Sequence, residues 1–476
     1  MPYAASPAPA GRSAPPRALG ALACLALAVL QASLGTSIAN VALPDLATAF
    51  AVPFPAVQWV VLAYLLGMTP LMVSMGRLGD LLGRRRLMGL GMALFTLASV
   101  ACGLAPGLWL LLLARAGQGL GAAVLLALSL ALVGDALPPE RAGRAMGFLG
   151  AMSALGTALG PSLGGVLLAT LGWRALFLLN LPLGLVGLAL ARQYLPPDPP
   201  RRRRAAIDLP GTLLLAGTLA AYALALTWGR SQPAPVGIAL GLAAVAGGLL
   251  FVAVESRAAS PLLHLGLLAH RVIGTGFVAG ALVTTVAMTT LVVGPFHLAL
   301  ALGLGPSAVG LVMSGGPVVA ALAGLPAGAA VDRFGARAMS LAGLVVMLVG
   351  CLALAWLPLS LGVPGYALPL MATTAGFALF QAANNTAVVS AAAVPDRGLV
   401  SGLLGLSRNL GLLTGASLMG AVFALGTGVP ILAGAPVEAL AAGTRTAFAL
   451  AVVLVAVALV LSAGVRDRVG AATPVA

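Results

Sequence analysis

Lysine is missing from this chain, and all 25 basic residues are arginine. Without a P-loop lysine, ATP-driven pumping by the chain alone is disfavoured, and Schiff-base chemistry has no amine to use. Charge of either sign is scarce, at 8% of residues, where a soluble chain carries roughly 25% because its surface must face water. Only three histidines are present, His264, His270 and His297, and none sits in a catalytic or ligand motif. The three cysteines, Cys24, Cys102 and Cys351, lie in apolar runs and read as small packing residues rather than disulfide partners or metal ligands. Nothing calls for a cofactor or a metal, and nothing reads as an enzyme. The one literal catalytic match, Gly160-Pro-Ser162-Leu-Gly164, has the G-x-S-x-G spacing of a nucleophile elbow. That motif needs a strand-to-helix turn, and here it lies inside a long apolar run.

Apolar residues take up the difference: 61% of the chain is hydrophobic, with a mean hydropathy of +1.09. The 62 glycines and 33 prolines do not indicate disorder, because disordered chains are poor in Leu, Val and Phe. Glycine lets membrane helices approach closely, and proline is tolerated in them. A spanning helix needs roughly twenty mostly apolar residues. The sequence predicts spans at Ala18–Leu43, Ala56–Met75, Leu87–Leu104, Leu108–Val133, Ala142–Thr170, Ala175–Tyr194, Leu209–Trp228, Val236–Val254, Val272–Leu298, Ser307–Val331, Ala338–Trp356, Ala367–Ala392, Leu399–Leu425 and Ala442–Val465. The fold class is therefore an all-α polytopic protein with about fourteen transmembrane helices.

The net charge of +14 fits topology better than nucleic acid, since the arginines do not gather on a soluble face. Twenty of the 25 arginines fall in the terminal tails, in the loops after even-numbered spans, or at span ends beside them. By the positive-inside rule both termini are cytoplasmic. The chain also repeats itself. Gly76-Arg-Leu-Gly-Asp80-Leu-Leu-Gly83-Arg84 finds an echo in Gly328-Ala-Ala-Val-Asp332-Arg333-Phe-Gly335-Ala336, and Glu140-Arg141 in Asp396-Arg397. Two duplicated six-span halves around an inserted pair of spans account for this. The division is then a disordered cytoplasmic tail over 1–17, a six-helix bundle over 18–194, a cytoplasmic linker over 195–208, two additional helices over 209–254, a second six-helix bundle over 255–465 and a tail over 466–476.

The loop from Gly76 to Arg86 is the most specific signal, with Gly76, Arg77, Asp80, Gly83 and Arg84 at fixed spacing. Glycines permit a tight turn between close helices, and Asp80 can accept charge-assisted hydrogen bonds from neighbouring arginines. This loop resembles the one between spans two and three of the major facilitator superfamily. Arg115-Ala-Gly-Gln118-Gly119-Leu-Gly121 is similar to that family's span-four motif. Gly156-x-x-x-Gly160-Pro161-x-x-Gly164-Gly165 is similar to its exporter motif in span five. Trp173-Arg-Ala-Leu-Phe177-Leu-Leu-Asn180-Leu-Pro182 and Ile207-Asp208-Leu-Pro210-Gly211 resemble the fourteen-span drug:proton antiporter branch. The resemblance covers nearly the whole chain and is strongest from Ile38 to Gly211. It implies a monomeric secondary transporter in a plasma membrane, the inner membrane of a bacterium. Such a protein exports amphipathic small molecules by alternating access, with proton entry as the driving force. The Gly76–Arg84 loop and its echo Asp332-Arg333 would gate, and the Gly156–Gly165 segment would be a close-packed, bendable helix. A solute importer and a non-transporting membrane sensor are the alternatives on the same fold.

A charge inside a span costs several kcal/mol and usually faces a partner or a cavity. Arg115 and Arg408 are such charges, and Gln118, Gln31, Asn40, Gln381, Asn384 and Asn385 supply further polarity within spans. Some of these are expected to line a central cavity. The branch carries an aspartate in its first span, and Gly35 stands in that position here. All 11 acids fall in loops or at span ends, with Asp45 the nearest proton-carrier candidate from outside, Asp135 from inside and His297 a third. A cavity with arginine and no acid disfavours permanent cations.

Overall fold

The computed structural model describes residues 16–136, 139–198, 208–228, 234–258, 265–356, 358–393, 397–429, 432 and 434–465. The N-terminal tail up to residue 15, the linker arginines Arg201–Arg204 and the tail after residue 465 lie outside the described residues. Side chains of Glu140 and Arg141, and Asp396 as a whole, lie outside them too. Helix already begins at Pro16.

Among the described residues no strand occurs, and fourteen helices are long and apolar enough to cross a bilayer. They are α1 (Ala18–Val41), α2 (Phe54–Met72), α3 (Arg84–Gly103), α4 (Leu108–Ala136), α5 (Ala145–Leu171), α6 (Trp173–Tyr194), α7 (Leu209–Thr227), α8 (Pro235–Glu255), α9 (Arg271–Ala301), α10 (Pro306–Gly324), α11 (Ala336–Trp356), α12 (Leu359–Ser390), α13 (Leu399–Thr427) and α14 (Val437–Gly464). Helix is the expected form of such runs, because hydrocarbon offers no partner to a free backbone N–H or C=O. Helical structure continues past α2 to Leu82 and past α10 to Phe334. Pro70, Pro161, Pro317 and Pro369 sit inside helices, as packed membrane helices allow.

The two repeated loops stop their helices in the same way. Gly83 ends the helix of α2 at φ +94°, and Gly335 ends that of α10 at φ +85°. A side chain at either position would be strained, so glycine is required there. The register of the internal repeat is thus visible in backbone geometry.

Packing divides the spans into two groups. In the first, α1 packs on α5 and α6, and α4 packs on α2 and α3. In the second, α12 packs on α10 and α11, while α9 and α11 both pack on α14. Helices α7 and α8 form a pair whose main outside contact is α7 with α2, including a 2.9 Å hydroxyl contact between Ser74 and Thr212. Helix α8 is almost wholly uncovered by protein. Leu242, Val245 and Leu249 on it, like Leu113 on α4 and Val460 on α14, point outward. In a protein of this hydropathy, such apolar surface is the face presented to lipid.

Candidate functional site

The two groups meet chiefly along α5 and α10, with further contacts of α2 on α13 and α1 on α9. Glycine makes the first seam possible. A Cβ on Gly165 would stand 2.7 Å from the Pro306 carbonyl and 2.9 Å from Gly310 Cα. On the adjacent face of α5, a Cβ on Gly156 would meet the Leu30 carbonyl at 2.6 Å, and one on Gly160 would meet Ser37 Cβ at 2.7 Å. Gly164 rests on Ile38. Helix α5 is therefore squeezed between α1 of its own group and α10 of the other, and Pro161 lies at the crossing.

Towards the ends of the helices opposite the Gly83 loop, an aromatic cluster closes the seam. Phe54 packs edge-on against Phe296 at 4.9 Å and against Phe423 at 5.4 Å, measured between ring centroids. The amide of Gln58 donates to the Ala416 carbonyl across the same seam.

Half-way along the helices the seam opens into a cavity of about 300 Å³. Its polar lining comes from Ser153 and Thr157 on α5, Thr290 on α9, Thr373, Thr374 and Gln381 on α12, and Arg408 on α13. Met313, Leu370 and Phe377 supply apolar walls. No acid lines it. Of the predicted intramembrane polar residues, Arg408 and Gln381 therefore face this space.

The others are placed elsewhere. Arg115 is fully buried within the first group. Its Nε donates to the Val60 carbonyl at 2.8 Å, and its Nη1 to the Gly35 carbonyl at 3.1 Å and to Gln118 Oε1 at 2.5 Å. The Tyr64 ring lies 4.3 Å from its guanidinium carbon, and Gln118 passes the chain on to Ser99 at 2.7 Å. Gln31 donates to the Asn180 carbonyl. Asn40 bonds back to Thr36 and Ser37 on its own helix. Asn384 donates to the Gly276 carbonyl at 3.1 Å, and Asn385 is exposed.

The loop after α2 is an ion-pair hub. Arg84 reaches Asp80 and Asp135 at 2.9 Å each. Asp198 caps the start of α3, accepting from the backbone N–H of Arg85 at 2.7 Å and of Arg86 at 3.1 Å. The Arg85 side chain donates to the Arg192 carbonyl. In the echo loop Asp332 and Arg333 are exposed.

The family model for the Major Facilitator Superfamily matches residues 25–208 and 275–474. The chain belongs to this superfamily. Among its superfamily relatives is an uncharacterized transporter, YebQ of Escherichia coli, 32% identical over 85% of this chain and 89% of that protein. Another is the multidrug resistance protein Stp of Mycobacterium tuberculosis, 35% identical over 84% of this chain and 74% of that one. A bacterial homologue of the lysosomal transporter Spinster, solved inward-facing and unoccupied, shares the superfamily fold with a TM-score of 0.69. The alignment covers 94% of this chain and 97% of that one at 18% identity. The protein is thus a multi-pass membrane transporter of small molecules.

Several site residues carried no signal in the superfamily motifs. Ser153, Thr157 and Thr373 are single hydroxyls in apolar runs, and only the packing of distant helices brings them to one cavity. Asp135 and Asp198 read as loop acids until the fold brings them to Arg84 and to the α3 N-terminus.

A second pocket, of about 440 Å³, lies at the seam beyond α1 and is lined by Pro44, Asp45, Thr48, Trp173, Leu300 and Val309 among others. Burial pushes the Asp45 carboxyl above the ordinary carboxylate range, and a backbone hydrogen bond at Asp45 offsets part of this.

Proposed function

We propose that this transporter exports amphipathic small molecules by alternating access, driven by proton entry. What carries the reading is the mid-helix cavity between two helix groups, apolar for the most part but with polar side chains converging from both groups. Around it the two groups rock, and the aromatic cluster of Phe54, Phe296 and Phe423 shuts one end while the other is open. The Gly76–Arg84 loop sits at the other end, where the ion pairs of Arg84 with Asp80 and Asp135 brace α2, α3 and α4 as one gating unit. Asp332 and Arg333 take the corresponding place in the second group.

The arginine distribution supports an orientation with both termini in the cytoplasm, in a bacterial inner membrane, and a single chain is sufficient for the cycle. Asp45 is the group we assign to proton uptake. It is an acid in a pocket walled by both groups, and its raised affinity for the proton suits a carboxyl that must load and unload. Arg115 and Gln118 serve as the brace that holds α1, α2 and α4 around the moving parts.

Transport in proteoliposomes with and without an imposed pH gradient tests the reading. Accelerated efflux of an amphipathic dye on imposing the gradient is expected. Accumulation in the direction of import, or flux indifferent to the gradient, rejects the exporter or the coupling respectively.

A further inference from the structure

Arg408 and Arg115 occupy opposite situations in the same membrane interior. Arg115 has three hydrogen bonds and an aromatic ring. Among the described residues Arg408 is the one charged side chain that lines the central cavity, and it is exposed. Among the described residues no hydrogen bond or ion pair engages it. A cation at that depth without a partner is costly, so its guanidinium is left to water or to a ligand.

Two further groups on α12 are unpartnered beside it. Thr373 Oγ1 has no hydrogen-bond partner but is turned into the contact with Gly350 of α11, and the buried Gln381 Oε1 is an acceptor, so neither offers a donor to the cavity. Both residues line the cavity. The neighbouring hydroxyls are engaged, since Thr157, Thr290 and Thr374 each bond back to a carbonyl of their own helix. Arg408 is thus the free fork of N–H donors at the cavity wall, and such a fork matches the oxygens of an oxyanion. Phe377, Leu370 and Met313 present an apolar wall for the rest of the molecule.

We propose that Arg408 forms an oxyanion subsite that selects amphipathic anions, flat apolar bodies bearing one sulfonate or carboxylate. This rests on the transport reading above and names its substrate class. The guanidinium pairs with the anionic oxygens, and the ring system lies against Phe377.

A matched probe pair tests this: naphthalene-2-sulfonate and N-methylquinolinium, alike in size and opposite in charge, measured as flux through reconstituted protein. The sulfonate is expected to move roughly tenfold faster or more, as one charge-assisted hydrogen bond implies. Arg408→Gln should erase that preference, and Arg408→Glu should invert it towards the quinolinium. The inversion is a gain that misfolded protein cannot produce. Equal flux of both probes in the wild type, or an unchanged ratio in Arg408→Gln, overturns the subsite and leaves transport standing. Where neither probe moves, scintillation-proximity binding of labelled naphthalene-2-sulfonate separates the two ideas. Arg408-dependent binding without flux keeps the subsite and rejects transport, and no binding rejects the subsite.

Discussion

Arg115 is held by geometry that only a guanidinium supplies. Its contacts to Val60, Gly35 and Gln118 come from three directions, and a lysine ammonium cannot reach all of them while staying charged in a fully buried site. Removing the charge along with the contacts also removes a burial penalty of about 2.5–3.5 kcal/mol. The less conservative change should therefore be the milder one. Arg115→Met is expected to unfold at a higher temperature in detergent than Arg115→Lys, with a difference of about 1–3 kcal/mol. The reverse order would mean that Arg115 is held by charge alone. Sequence marked Arg115 and Arg408 equally, as charges inside apolar runs. It could not separate them, because what differs is the backbone carbonyls of Gly35 and Val60, contributed by other helices.

Asp45 carries the pH dependence at this scale. Its folded-state pKa is raised by burial, so the unfolded chain loses its proton first as pH climbs. Stability supplied by the neutral carboxyl is complete below the unfolded value of about 3.9 and is lost as pH rises through the higher folded value. Asp45→Asn mimics the neutral form. Its thermal stability relative to wild type should rise as pH climbs above about 4, and its flux should lose the response to a proton gradient. Unchanged coupling in Asp45→Asn would move the proton to another group.

Among the elements, α5 shows how a glycine series is spent. Gly156, Gly160 and Gly164 recur every four residues and so line one face, against α1, while Gly165 turns to the next face and meets Gly310 of α10. The motif order was legible in the sequence, but the division of its glycines between two partners was not, since Gly164 and Gly165 are neighbours with different tasks. Gly147, nearer the start of the same helix, has nothing within 4 Å of where a Cβ would be. Gly147→Ala should therefore be neutral or stabilising by up to about 1 kcal/mol, through helix propensity. Gly165→Ala puts a methyl into the seam between the two groups, where overpacking costs about 1–3 kcal/mol. Expression is expected to survive in both, and transport to fail only in Gly165→Ala. Equal flux in the two variants would show that the α5–α10 seam does not move during turnover. The repeated loops were legible more fully: glycine at 83 and at 335 was required by the turn, and both adopt positive φ.

For the whole molecule, the sequence carried the span count because hydrocarbon thickness sets a length that apolar runs must meet. The cavity escaped it because five helices from both halves of the chain contribute its lining, and no local pattern records which turns face inward. The halves are joined asymmetrically. Phe54, Phe296 and Phe423 close one end, while the arginine-rich loops lie at the other. Alternating access requires that closure to be exchanged between ends, and thiol labelling can read the exchange directly. Cys24, Cys102 and Cys351 are buried and free, so background labelling by a membrane-impermeant maleimide is low. Thr157→Cys, in the cavity, should react from the arginine-rich side, and Phe54→Cys, in the aromatic cluster, should be protected from both sides. A condition that drives the molecule into its other state should protect Thr157→Cys from the arginine-rich side and expose Phe54→Cys. If the two positions gain and lose reactivity together instead of oppositely, the halves are not rocking about the cavity, and a channel-like opening would have to replace the transporter cycle.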